Sequence, residues 1–244
     1  MQKIFGRKPI LEALKSGKDI NKIYIQYGLH GSIIDQIKNL AGKQNIKISQ
    51  LSPQKFSKYT EGKNTQGIIA LKNDFVISQP EKIIAESKEK EFPFLLLLDS
   101  IQDTHNLGAI IRTAECSGVD GIIITSRNSA TVNDTVIKTS AGATGYIKIA
   151  QVNNLVNTIK LLKENGFWIV GSKLGNSKPY TQIDYKQPIA IVVGNEEKGI
   201  RKLVAENCDF LAEIPMQGKI QSLNVSVATG ILLFEVLRQR NLLD

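Results

Sequence analysis

The sequence predicts an α/β protein in two parts: a small basic module over residues 1–75, then a larger unit over 92–244 built on a parallel sheet. Three observations predict this. The runs FLLLL (94–98), GIIIT (121–125), FWIVG (167–171), IAIVV (189–193) and FLAEI (210–214) are predominantly apolar and separated by helical stretches. Such runs mark strands covered on both faces, as in parallel sheets. The formal net charge of +8 is also confined: residues 1–75 hold 13 basic and 5 acidic side chains, 76–91 hold 3 and 4, and 92–244 hold 15 and 14. Between the two parts, SQPEKIIAESKEKE (78–91) is charged with one short apolar pair, so residues 76–91 read as a linker or connecting helix.

In the first part, Pro9 to Lys15 places Ile10, Leu11 and Leu14 at helical spacing, with Pro9 suited to a first turn. Lys22 to Gln26 reads as a strand from its β-branched and aromatic content. Ser32 to Ala41 is an amphipathic helix with Ile33, Ile34, Ile37 and Leu40 on one stripe, and Ile46–Ile48 and Gly67–Leu71 are two further strands. In the second part, Val225 to Leu237 is interrupted only by Ser226, Thr229 and Glu235. A helix apolar on nearly every face has to be buried all round, which a second copy of the chain would achieve.

Composition narrows the class. With 42% hydrophobic and 22% charged residues the chain is globular and long enough for a proper core. Cys116 and Cys208 are too few for a disulfide framework and too far apart for a paired metal motif, so they read as reduced core thiols of a cytosolic protein. With only His30 and His105 beside them, no structural metal site is expected. The N-terminus lacks the apolar stretch of a signal peptide, and no apolar run reaches membrane-spanning length. A basic module joined to a near-neutral one suggests a nucleic-acid partner, although a lysine-rich surface also serves solubility.

Ligands of parallel sheets bind where strands end at their carboxyl edge, and three loops there carry polar residues. Residues 98–118 place Asn106 where it can cap a helix starting near Leu107, with Arg112 further inside it. VVGNEEKGI (192–200) ends a strand in Gly194 and turns toward a helix, where Glu196 and Glu197 would also suit the helix dipole. In residues 214–240, Ser222 or Asn224 caps the last helix.

Taken together, N-x-G-x-x-x-R (106–112), V-G-N-E-x-x-G (193–199) and I-P-M-x-G…S-L-N-V-S-V-A (214–228) resemble the three motifs of the SpoU (TrmH-like) RNA 2′-O-ribose methyltransferases. Each motif is weak alone, and their order and setting make the set specific. The resemblance covers nearly all of 92–244 and is closest to the two-domain RlmB-type subgroup, which methylates a guanosine ribose in 23S ribosomal RNA. FGRKPILEAL (5–14) and NTQGIIA (64–70) also resemble that subgroup's substrate-binding domain, a fold related to ribosomal proteins that hold kinked RNA. Thr104 departs from the family, where proline is common.

The resemblance implies a trefoil-knotted methyltransferase domain that binds S-adenosylmethionine, no metal, a homodimer whose site draws on both subunits, and a cytoplasmic location. It implies Ser172, Gly194, Ile214 and Leu223 at the cofactor, and Asn106, Arg112, Glu196, Ser222 and Asn224 at the reacting ribose. Arg112 is often given the general-base role in this family, but a guanidinium stays protonated in proteins. It is better suited to hold the adjacent phosphate and stabilise the developing alkoxide. His105 is another candidate base, although a lone histidine at a helix start is ordinarily structural. Arg7, Lys8, Lys63 and Asn64, near turns of the basic module, are the expected RNA contacts. The alternatives are a transfer-RNA ribose methyltransferase, a methyltransferase conferring antibiotic resistance, and a non-catalytic ribosome-assembly protein.

Overall fold

The computed structural model describes residues 3–16, 20–72, 77–175, 177–219 and 222–240. The chain divides into two compact units, Met1–Phe75 and Val76–Asp244.

The first unit runs β1 (Lys3–Phe5), α1 (Arg7–Lys15), β2 (Ile20–Gln26), α2 (Ser32–Lys43), β3 (Lys47–Leu51), α3 (Pro53–Ser57) and β4 (Ile68–Lys72). Its sheet has the order β1-β4-β2-β3, antiparallel except for the parallel pair β2–β3. Alternation along β2 sends Ile23 and Ile25 inward, where they pack with Ile10 and Leu14 of α1 and Ile34 and Ile37 of α2. Tyr24, between them, points to the other face and meets the Tyr59 ring at 4.7 Å. Strand β1 was not expected: three residues are too few to show a period.

The second unit opens with α4 (Pro80–Ser87), in the segment expected to be a linker or connecting helix. Ile83 and Ile84, the short apolar pair, are buried in the main core. Ser78 N–H donates to Ile149 O at 2.9 Å, and Lys148 pairs with Glu86. The segment is therefore integral to this unit, because the apolar pair finds a face of the sheet to cover. Residues 73–76 lie outside the described residues.

The rest runs β5 (Phe94–Asp99), α5 (Thr104–Cys116), β6 (Gly121–Thr125), α6 (Asp134–Thr139), β7 (Lys148–Val152), α7 (Leu155–Glu164), β8 (Trp168–Ser172), β9 (Lys178–Pro179), β10 (Ile189–Gly194), α8 (Lys202–Glu206), β11 (Phe210–Glu213) and α9 (Val225–Gln239). The seven strands form one sheet of order β7-β6-β5-β10-β8-β11-β9, parallel throughout. Strand β7 escaped the sequence reading because KIAQV carries Lys148 and Gln151 and so has no continuous apolar run.

Successive residues of each strand face opposite sides. Leu95, Leu97, Ile123, Ala190 and Val192 meet α4, α7 and α8. Leu96, Leu98, Ile122, Ile124, Ile191 and Val193 face the other side and are equally buried. That second side is where α5 packs with α6 and α9.

Helix α9 is covered over only part of its surface by the rest of this chain. Val225, Thr229, Leu232, Leu233 and Val236 are buried, but Val227 and Phe234 are exposed, and Phe234 shows 43% of its surface. Glu235 is accommodated inside by Arg238, which donates to both carboxylate oxygens at 2.8 Å, and by Gln239. These bonds hold the Glu235 carboxyl below its usual range. At the C-cap, Arg240 donates to the carbonyls of Phe92, Tyr185 and Gln187 at 2.7–2.9 Å, and its guanidinium lies over the Phe94 ring. Burial lowers its pKa to about 10. The reading of both cysteines as core thiols holds for neither fully: Cys116 is exposed and Cys208 half-buried. A helix ends at Cys116 facing water, so its apolar neighbours in sequence say little about its own burial.

Candidate functional site

Strand register aligns the loops that carry the motifs. Gly194 at the end of β10 pairs with Asp99 at the end of β5, and Ser172 at the end of β8 pairs with Ala212 of β11. The chain leaves β5 toward one face through α5 and leaves β10 toward the other through α8. The loops after these adjacent strands part, and such a switch point leaves a crevice at the carboxyl edge.

Each loop is fixed from within. Asp103, not Asn106, is the N-cap of α5: its Oδ1 accepts from the N–H groups of His105 and Asn106 at 2.6 and 3.1 Å. Helix α5 starts three residues earlier than expected, which places Asn106 in the first turn with its side chain free for other use. Residues 195–200 form a tight turn before α8 begins at Lys202, so neither glutamate lies at that helix's start. Asn195 and Gly199 exchange two backbone hydrogen bonds, and Asn195 Oδ1 accepts from the N–H groups of Glu197 and Lys198. Gly194 is required there: a Cβ would lie 2.2 Å from backbone atoms of Gly199 and Ile200. Asn224 caps α9 as one of the two expected candidates, its Oδ1 accepting from Ser226 N–H at 2.9 Å and from Ser226 Oγ at 2.6 Å.

The three loops meet through side chains. Asn106 Nδ2 donates to Glu196 Oε1 at 2.8 Å, and Asn224 Nδ2 donates to Asn106 Oδ1 at 3.0 Å. Asn195 Nδ2 donates to Glu196 Oε2 and to Ser100 O, both at 3.2 Å. One hydrogen-bonded chain thus runs Ser226–Asn224–Asn106–Glu196–Asn195 across the crevice. It fixes which way the Asn106 amide points, leaving one Nδ2 proton and one Oδ1 lone pair for a ligand.

Beneath this chain lies a charge pair that sequence reasoning did not find. Asp99 is wholly buried; its Oδ2 accepts from Arg201 N–H at 2.9 Å and its Oδ1 from Arg201 Nε at 2.8 Å. Arg201 Nη2 also lies 2.8 Å from Asp99 Oδ1. The pair staples the loop bearing Glu196 to the end of β5. An acid closing the apolar run FLLLL was the one available signal, since a buried carboxylate needs a partner.

Of the expected site residues, the structure brings Asn106, Glu196 and Asn224 together. Ser222 is exposed two residues before Asn224 and forms no hydrogen bond among the described residues. Arg112 is exposed and outside the chain of bonds. Six helical residues place it about 9 Å along α5 from Asn106 and well round the helix. His105 is exposed. Gly194 is buried, while Ser172, Ile214 and Leu223 are half-buried at or beyond strand ends on the carboxyl edge. Among the described residues no group of three or more His, Cys, Asp or Glu could hold a metal ion.

In the first unit, Arg7, Lys8 and Asn64 line one cleft with Phe5, Gln66 and Tyr27. Lys63 is not among its lining residues but places Nζ 4.9 Å from the centre of the Phe5 ring.

The chain is similar to known proteins over both units. Residues 93–234 match the model of the SpoU rRNA Methylase family, and residues 3–74 match a model described as RNA 2′-O ribose methyltransferase substrate binding. A Staphylococcus saprophyticus protein provisionally described as a TrmH family tRNA/rRNA methyltransferase is 41% identical over 239 residues, covering 98% of this chain and 96% of the relative. A similarly described Bacillus subtilis protein, YacO, is 38% identical over the same length and with the same coverage. Among solved structures, an AdoMet-bound rRNA methyltransferase from Sinorhizobium meliloti superposes with a TM-score of 0.69 at 28% identity, covering 99% of this chain and 88% of that one. A TrmH/SpoU tRNA modifying enzyme from A. aeolicus superposes at 0.58 with 34% identity, covering 66% of this chain and 84% of that one.

Proposed function

Because the chain belongs to the SpoU rRNA Methylase family, we propose that it transfers a methyl group from S-adenosylmethionine to the ribose 2′-hydroxyl of a guanosine in 23S ribosomal RNA. The observation that carries the reading is the Asn106–Glu196–Asn224 chain, which joins three distant loops at the carboxyl edge of a parallel sheet. The AdoMet-bound neighbour supports the donor.

The carboxyl edge suits that donor. Ile214 and Leu223 are large apolar side chains left half-exposed, and with the Ser172 hydroxyl and the Gly194 turn they would supply a surface for an adenine and a thioether chain. When bound, the sulfonium supplies an electrophilic methyl group for in-line displacement by an oxygen. This chain's part is to align the ribose and manage its charge. The remaining donor and acceptor of Asn106 orient the ribose, and Glu196 holds Asn106 while Asn195 holds Glu196. Ser222 positions the substrate beside the Asn224 cap. Arg112 clamps the phosphate next to the reacting ribose and stabilises the alkoxide as it forms.

Arg112 stands apart from the other site residues within one protomer, and helix α9, which packs against α5, exposes Val227 and Phe234. Both facts support a homodimer in which Arg112 of one subunit serves the site of the other. The trefoil-knotted path belongs to the same reading, supported by the insertion of β10 between the earlier strands β5 and β8. The basic first unit would hold RNA through Arg7, Lys8, Lys63 and Asn64. The reading puts the enzyme in the cytoplasm; among the described residues no helix is long and apolar enough to cross a membrane.

A transfer-RNA target is the second reading, favoured by the likeness to the A. aeolicus enzyme. Mapping 2′-O-methyl groups on total RNA from cells with and without the protein separates them. A methyl group lost from one 23S guanosine supports the proposal. Loss from transfer RNA selects the second reading, and no loss anywhere overturns both in favour of a non-catalytic binder.

A further inference from the structure

The first unit offers more than positive charge. A cleft of about 1030 Å³ opens between the start of α1, the end of β2 and the turn before β4. Tyr27 stands at this cleft with 73% of its surface exposed. Its backbone is held in place: Tyr27 N–H donates to Leu51 O at 2.7 Å, and Leu29 N–H closes the following turn onto Gln26 O at 3.2 Å. The ring is thus an open aromatic face carried on a fixed turn.

Polar groups of one kind surround it. Gln66 Oε1 accepts from Arg7 N–H at 3.0 Å and Asn64 Oδ1 accepts from Gln66 N–H at 3.3 Å. Both amides therefore have their oxygens engaged by the protein and their NH2 groups left to donate, and Gln26 adds a third carboxamide. Arg7 spends Nε on Gln66 O at 3.2 Å, which leaves its two terminal nitrogens for a ligand. Lys8 contributes an ammonium, and its N–H at the start of α1 has no partner among the described residues.

An open ring, carboxamide donors and two cations in one cleft match the parts of a nucleotide: a π-face, a base edge rich in acceptors, and phosphate. We propose that this cleft takes one unpaired nucleotide of the RNA, its base stacked on Tyr27, its edge met by Gln26, Asn64 and Gln66, and its flanking phosphates held by Arg7 and Lys8. A continuous duplex keeps its bases stacked and cannot deliver one into a cleft, so the first unit selects a bulge or loop. The inference rests on reading the chain as an RNA methyltransferase and narrows the RNA it accepts.

The test uses the full-length protein and two RNA hairpins of equal length, one with a single unpaired nucleotide and one fully paired, at one salt concentration. The wild type is expected to bind the bulged hairpin more tightly. Stacking of one base is worth roughly tenfold to a hundredfold in affinity, so Tyr27→Ala should lose about that much on the bulged hairpin and nothing on the paired one. Tyr27→Phe keeps the ring and should bind as the wild type does. Melting curves should coincide, because an exposed ring contributes little to folding. The proposal is overturned if the wild type does not distinguish the hairpins, if Tyr27→Ala weakens both equally or neither, or if Tyr27→Phe falls as far as Tyr27→Ala. Transfer of labelled methyl groups from S-adenosylmethionine to total RNA by the wild type is measured in parallel. Transfer that persists while the hairpins are not distinguished sinks the cleft alone; absent transfer sinks the enzymatic reading itself.

Discussion

Asp99 is wholly buried, whereas the Arg201 side chain that neutralises it keeps 56% of its surface in water. The two halves of this pair should therefore respond unequally to mutation. Arg201→Met strands a carboxylate inside the protein with only the Arg201 N–H and a long bond from the Ser100 hydroxyl for support, and should cost about 3 kcal/mol or more in urea unfolding. Asp99→Asn leaves a neutral amide facing a guanidinium that can turn to water, and should cost about 1–2 kcal/mol. Equal losses would mean that the pair is not asymmetric in this way. The thiols offer a second contrast. Burial pushes Cys208 up to about 12, while Cys116 is exposed, so a disulfide reagent at pH 8 should label one thiol per native chain quickly and the second only on unfolding. The same shift makes Cys208 favour the folded state below about pH 9, a contribution lost as pH rises toward 12. Neither pattern was legible beforehand. Asp99 and Arg201 lie 102 positions apart and meet only because β10 pairs with β5 in one register. The sequence reading set Arg112 beside Asn106 at the ribose, whereas six residues along a helix turn it to a different face.

At the level of elements, the carboxyl-edge loops work as one unit, and their weakest tolerance is at Gly194. Gly194→Ala forces a methyl group into backbone 2.2 Å away, and the turn holding Glu196 has to move. Stability should fall by at least about 2–3 kcal/mol and methyl transfer with it. Asn106→Ala is the contrasting case: it removes a half-buried amide, leaves the melting curve close to wild type, and should reduce turnover by roughly a hundredfold, the scale of a lost orienting group. A strong loss of stability there would make Asn106 structural and contradict its proposed role at the ribose. Strands β5, β6, β8, β10 and β11 were legible because predominantly apolar runs have few other uses. Strand β7 and the burial of helix α4 were not, because short or charged segments join a core only once a sheet exists to receive them.

At the scale of the whole molecule, a positively charged unit is joined to a nearly neutral one. If the charge of residues 1–75 grips phosphate, RNA affinity should fall steeply and linearly on a logarithmic salt axis. Deleting residues 1–75 should abolish that affinity while leaving S-adenosylmethionine binding measurable by calorimetry; loss of both would show the units are not separable in function. If two copies pair through the open face of α9 and share Arg112 as proposed, Phe234→Glu should leave a folded but inactive 26.9 kDa monomer in sedimentation. An active monomer would contradict the shared site.

The anchoring of Arg240 has a consequence for how the protein is made. Its guanidinium clasps the carbonyl of Phe92, 148 positions earlier, along with those of Tyr185 and Gln187. A ribosome delivers Phe92 long before Arg240, so this latch stays open until Arg240 itself has emerged. Contacts over such distances form slowly. The first unit, closed by pairings within its own residues, can finish folding while the second is still being translated.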